Sequence, residues 1–134
     1  MPLTQVSLMK GSKTPAQKAA ILDEIYQALR ETFDVPPDDK FMTVTEVERE
    51  DFVFGRYYMN VARSDDLVII QLTVSDTRTQ AKKRALFARI AEGLGREVGV
   101  RPEDVFIGLV ETKLENWSLG NGQMQYADRQ PETV

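Results

Sequence analysis

The sequence predicts an α+β fold in which two copies of one β-α-β unit form a mixed four-stranded sheet with two helices on one face. Three observations predict it. The second half of the chain repeats the first at a shift of 65 residues. Lys13 pairs with Arg78, Thr14 with Thr79, Ile25 with Ile90, Val35 with Val100, Pro37 with Pro102, Asp39 with Asp104 and Glu46 with Glu111, without a gap. Each copy reads as strand, helix, strand. A crossover helix normally leaves its two strands parallel and right-handed, so two such units supply four strands, with both helices most simply on one face.

The elements follow in order. Leu3 to Met9 is a short apolar run closed by the turn-forming Gly11-Ser12, as a buried strand should be. Leu22, Ile25, Tyr26, Leu29 and Phe33 then recur at helical spacing, behind Thr14 as N-cap and Pro15 at the first helical position, with Pro37 as the stop. Lys40 to Val47 closes the first unit. Within a linking segment of about 48–66, Asp51 to Ser64 is expected to add an irregular hairpin. Leu67 to Val74, ended by Ser75-Asp76, opens the second unit, so that Pro2 pairs with Leu67 at the strand starts. Leu86, Ile90, Ala91, Leu94 and Val98 repeat the helical stripe behind Thr79, Pro102 stops it, and Val105 to Thr112 is the last strand. The repeats span about 2–47 and 67–112, followed by a C-terminal segment 113–134 whose tail after Tyr126 reads as polar and loose.

With 134 residues, 42% of them hydrophobic, the chain fits one domain with a core. Helices on one face leave the other apolar face of the sheet needing cover, so self-association is expected. No apolar run reaches membrane-spanning length and the start lacks the features of a signal peptide, which makes cytoplasm the default and a membrane partner unexpected. The absence of cysteine and histidine excludes thiol chemistry and removes the commonest base and metal ligand, so no metal or cofactor is expected. A net charge of -4 argues against nucleic-acid binding, and Arg78, Lys82, Lys83, Arg84 and Arg89 read as a solvated helix face.

Pro2 directly follows Met1. A small second residue permits removal of the initiator methionine, which would leave a secondary amine fixed at the end of a core strand. In an apolar pocket beside an arginine such an amine is biased toward its neutral form, and a neutral amine can take a proton next to a carbonyl and return it elsewhere.

These residues resemble the tautomerase superfamily, whose members are built from two β-α-β repeats and use an amino-terminal proline. The likeness covers nearly the whole chain. Within the superfamily it is similar to the malonate semialdehyde decarboxylase-like branch, through Val35-Pro36-Pro37-Asp38-Asp39-Lys40-Phe41, through Arg78 at the second strand-to-helix turn, and through Glu115-Asn116-Trp117-Ser118-Leu119-Gly120-Asn121-Gly122. The resemblance implies a homotrimer, with the proline at the base of a pocket completed by a neighbouring subunit.

It also implies roles. Arg78 would bind the carboxylate of a small oxo acid. Asp39 would position substrate or water, or else cap the turn into the next strand, as its repeat mate Asp104 suggests. Trp117 would wall the pocket, and Tyr26 would offer a hydroxyl where some relatives carry histidine. The decarboxylase pattern has two arginines, one residue apart, where this chain has Asp76-Thr77-Arg78. Asp76 in place of the first would weaken binding of an anionic substrate. The reading is a tautomerase acting on a small carboxylated enol or 2-oxo acid. Decarboxylation or hydration of a three-carbon oxo acid is the alternative, and a non-catalytic trimeric interaction or ligand-binding protein is an alternative of another class.

Overall fold

The computed structural model describes residues 1–128. Its main elements are β1 (Pro2–Met9), α1 (Pro15–Phe33), β2 (Phe41–Val47), β3 (Val68–Ser75), α2 (Gln80–Val98), β4 (Val105–Thr112) and a closing turn of helix, α3 (Gln125–Asp128). The strand order is β2-β1-β3-β4. Within each repeat the two strands are parallel, and the repeats meet through an antiparallel β1–β3 ladder that pairs Pro2 with Val74. This is the mixed sheet the sequence predicts.

Alternation decides which face is covered. Val6 and Leu8 of β1 and Val68, Ile70, Leu72 and Val74 of β3 are buried with Ile21, Ile25 and Leu29 of α1 and Leu86, Ile90 and Leu94 of α2. Gln5 and Gln71, paired across the β1–β3 ladder, are exposed on the opposite face. That face also carries Phe41 and Phe106, each about half exposed, and Val110.

Both helices start as expected. Thr14 and Thr79 accept the N–H of Gln17 and Lys82, and Gln17 completes a capping box on Thr14 N–H. Their ends differ from expectation. The chain leaves the helix at Asp34 (φ 54°) and Gly99 (φ 75°), three residues before Pro37 and Pro102, because left-handed caps already satisfy the last carbonyls. Ala28 of α1 and its repeat mate Gly93 of α2 are both buried. A Cβ on Gly93 would stand 2.5 Å from Arg89 Nη1 and 2.7 Å from Glu24 Oε1, so a larger residue there would push aside the side chains that pair between the helices.

Two further expectations need correction. The strand starts pair Pro2 with Val68, not with Leu67: β1 and β3 share one burial pattern, and β1 runs Pro2–Met9 where β3 runs Val68–Ser75. The turn into α2 is one residue shorter than the turn into α1. A one-residue slip would have turned the core face of β3 to solvent, so the strand register shifts while the helix register does not. The linking segment forms no hairpin ladder either. It makes single 3-10 turns at Arg49–Asp51 and Tyr58–Asn60, and Arg63 Nη1 donates to the carbonyls of Gly55 and Tyr58 at 3.0 Å, taking up acceptors that a partner strand would need.

The tail beyond Tyr126 was expected to be loose; α3 holds its first residues, and those after residue 128 lie outside the described residues. No helix of the described residues is long and apolar enough to cross a membrane. Much of the basic face of α2 is paired, Lys83 with Glu111 at 2.8 Å and Arg89 with Glu31 at 2.7 Å.

Candidate active site

A cleft of about 550 Å³ opens where β1 begins and β3 ends. Antiparallel pairing puts the start of β1 beside the end of β3, and the turn into α2 brings Arg78 to the same corner. The loop between α1 and β2 supplies Pro36, Pro37 and Asp39, while Leu114, Leu119 and Tyr126 come from the C-terminal segment.

Two sequence-predicted residues, Arg78 and Asp39, line the cleft, and Pro2 heads the adjoining strand directly behind Met1. Pro2 is buried at the head of β1. Arg78 Nη2 donates to Phe33 O at 3.0 Å and its guanidinium lies 4.8 Å from the Phe33 ring, so a carbonyl left open at the end of α1 anchors the cation. Burial lowers the pKa of this guanidinium, against the pull of Asp39, Tyr126 and Asp34, and it stays cationic. Asp39 Oδ2 stands 3.9 Å from the Met1 terminal nitrogen. Burial holds that amine below its ordinary value; Asp39 draws it up and Arg78 pushes it further down.

Tyr26, Trp117 and Asp76 also stand outside the cleft lining. Tyr26 packs under the α1–β2 loop, and its hydroxyl accepts the Asp38 N–H at 3.0 Å while Lys40 Nζ lies 4.7 Å from its ring. It therefore sets the loop that carries Asp39, and Asp38 there adopts a left-handed φ of 70°. Trp117 Nε1 donates to Thr112 Oγ1 at 2.8 Å, and that hydroxyl donates to Val74 O at 3.2 Å, so the indole braces the strand rung opposite Pro2. Asp76 is exposed, with its N–H extending the ladder to Thr112 O at 2.9 Å.

Two cleft residues were not read from the sequence. Tyr126 is brought in because Gln125 Oε1 accepts Leu119 N–H and Gln125 Nε2 donates to Gly120 O, both at 2.9 Å, folding the C-terminal segment back. Ser75, taken as a turn former, is the last residue of β3 and lines the cleft. The one signal for it was its place next to an apolar strand that had to end at the site. No cluster of acidic side chains among the described residues could hold a metal ion.

Comparisons with known proteins identify the family. A sequence model of the tautomerase enzyme family matches residues 39–120, and a second of the same description matches 2–60. Probable tautomerase YusQ of Bacillus subtilis is 39% identical over 126 residues, covering 93% of this chain and 98% of the relative. A malonate semialdehyde decarboxylase inhibited by 3-bromopropiolate is 32% identical, with a TM-score of 0.87 over 93% of this chain and 94% of the other. A malonate semialdehyde decarboxylase described for its decarboxylase and hydratase activities has 27% identity and the same TM-score of 0.87, over 93% and 95%. With its two β-α-β units and a proline heading the first strand, the chain belongs to the tautomerase family, on the side of malonate semialdehyde decarboxylase.

Proposed function

We propose that the protein catalyses enol-keto proton transfer on a small carboxylated enol or 2-oxo acid, with Pro2 as the base once Met1 is removed. The observation that carries this reading is the corner where Pro2 heads β1 next to the cleft that Arg78 and Asp39 line. Burial and Arg78 favour the neutral form of the Met1 amine and Asp39 opposes them, and an amine on Pro2, one residue along, would meet the same influences. The Pro2 nitrogen would take the enol hydroxyl proton and return it to the adjacent carbon, which leaves the keto acid and regenerates the amine. Arg78 would hold the carboxylate, and Asp39 would orient substrate or water. The chain's own groups suffice for this chemistry.

A homotrimer fits the same reading. The uncovered sheet face, with Phe41, Phe106 and Val110, needs cover, and Phe41 lies both on that face and in the cleft, so a subunit docked there would help to close the site.

Decarboxylation is the second reading, favoured by the likeness to the two decarboxylase structures. Against it, the turn offers Asp76 where that pattern has a further cation.

The test pairs intact-mass analysis with kinetics. Loss of Met1 and a fall of at least about a hundredfold in phenylenolpyruvate turnover for Pro2→Ala are expected, the usual contribution of a positioned base. Activity should rise with pH through a single ionisation below the ordinary terminal-amine value, since the base works as the neutral amine. Retained Met1 on active protein, or an unchanged Pro2→Ala, removes Pro2 from the mechanism.

A further inference from the structure

Among the described residues, three buried side-chain atoms have no hydrogen-bond partner: Thr4 Oγ1, Ser75 Oγ and Arg89 Nη1. Arg89 is spent on Glu24 and Glu31, and neither it nor Thr4 lines the cleft. Ser75 does, and it is only 2% exposed. A hydroxyl shut away from water without a partner is unfavourable, and serines near strand ends ordinarily bond to local backbone. Ser12 does so in the first repeat, donating to Met9 O at 2.7 Å. The strand mate of Ser75 is Met9 itself, so the first repeat fills this position with an apolar thioether and the second leaves an unused hydroxyl.

Its place in the ladder gives that hydroxyl a purpose. Pro2 pairs with Val74 in the last rung of the ladder, Ser75 is the next residue of β3, and Ser75 lines the cleft together with Met1. Arg78 follows three residues later in the same turn.

We propose that Ser75 Oγ is a catalytic hydrogen-bond donor to the C2 oxygen of the substrate, the atom that carries negative charge in the enolate. The proposal rests on the tautomerase reading above. The enol O–H bond breaks as Pro2 nitrogen takes the proton. The C2 oxygen is then held by Ser75 O–H while Arg78 holds the carboxylate, and the C–H bond forms as the Pro2 ammonium returns the proton. Ser75 keeps its own proton throughout. A neutral donor tightens on the enolate more than on the bound enol, so its effect falls on the chemical step. With one cation for the carboxylate and one hydroxyl for the C2 oxygen, the site suits a monoanionic 2-oxo acid.

Ser75→Ala tests this, because a structural and a catalytic serine differ in sign. Removing a buried hydroxyl that has no partner should leave the melting temperature unchanged or raised. The kcat on phenylenolpyruvate should fall by about tenfold to a hundredfold with KM within about threefold, as for an oxyanion donor. The acid limb set by Pro2 should stay in place. A kcat within about twofold of wild type, or a lowered melting temperature with a displaced acid limb, overturns the proposal.

Oxalate, a planar stand-in for the enolate, separates this proposal from the reading beneath it. It should bind Ser75→Ala at least about fivefold more weakly than wild type, while acetate binds both alike. If wild-type turnover proves independent of Pro2 yet oxalate still distinguishes serine from alanine, the base assignment falls and the donor stands. Equal oxalate affinities overturn the donor whatever Pro2 does.

Discussion

The two ends of the central ladder are built from matching parts and do opposite things. At one end are the start of β1, the end of β3, Arg78 and Asp39; at the other are the start of β3, the end of β1, Lys13 and Asp104. At the second end the linking segment runs straight into β3 and engages both Lys13 and Asp104. Lys13 is tied to Asp66, and Asp104, 0% exposed, accepts the Ser64 N–H and O–H at 2.7 Å each and Arg101 Nε at 3.2 Å. At the first end Asp39 and Arg78 face a chain terminus across a cleft. One scaffold position is thus a buried brace at one end and part of a cleft lining at the other.

Exchanging the two behaviours by mutation should fail in opposite ways. The largest effect on stability is expected at Asp104, where Asp104→Ala strands Ser64 and Arg101 and should lower unfolding free energy by about 2–4 kcal/mol in denaturant titrations. Asp39→Ala should change stability far less while impairing turnover. Equal losses at both aspartates would erase the distinction.

The same carboxylate carries a pH signature. Burial pushes the Asp104 pKa up, but Ser64 and Arg101 outweigh it and hold it below the ordinary carboxylate value. Its stabilising contribution is therefore complete above the unfolded-state value and fades as pH falls through the folded one. Asp104→Asn should flatten that part of the acid-unfolding curve.

A smaller effect is expected at Arg78. Arg78→Ala should raise KM for carboxylated substrates about tenfold, the loss of a charge-assisted contact, and spare a carboxylate-free enol. Smallest is Lys13→Met, which breaks the matching contact at the closed end and leaves the partly exposed Asp66 in water. About 1 kcal/mol of stability and no change in KM are expected, and a kinetic defect there would show that the closed end communicates with the open one.

How much of this was legible follows from which residues carry two independent signals. Helices and strands were readable because apolar spacing and the 65-residue repeat agree, as at Ile25 and Ile90. The slip at Pro2 and Val68 was not, because a one-residue difference in a turn leaves no trace in composition and only alternation in the folded sheet exposes it. Pro2, Arg78 and Asp39 could be grouped because antiparallel repeats bring strand ends together. Tyr26 could not be placed, since its ring serves the underside of the loop whose upper side holds Asp39. The bond from the Trp117 indole nitrogen to Thr112 was not legible either, since the two residues carry no shared signal in the sequence.

The pairing between the helices has a further consequence. Glu24 and Arg89 are repeat mates, as are Glu31 and Arg96, yet the members of each pair carry opposite charge. In the folded chain the acids of α1 meet the bases of α2, with Glu24 to Arg96 at 2.8 Å and Glu31 to Arg89 at 2.7 Å. Two first halves docked in this geometry would set acid against acid, and two second halves base against base. The halves are complementary in charge where identical copies would repel: expressed as separate fragments they should prefer each other to themselves.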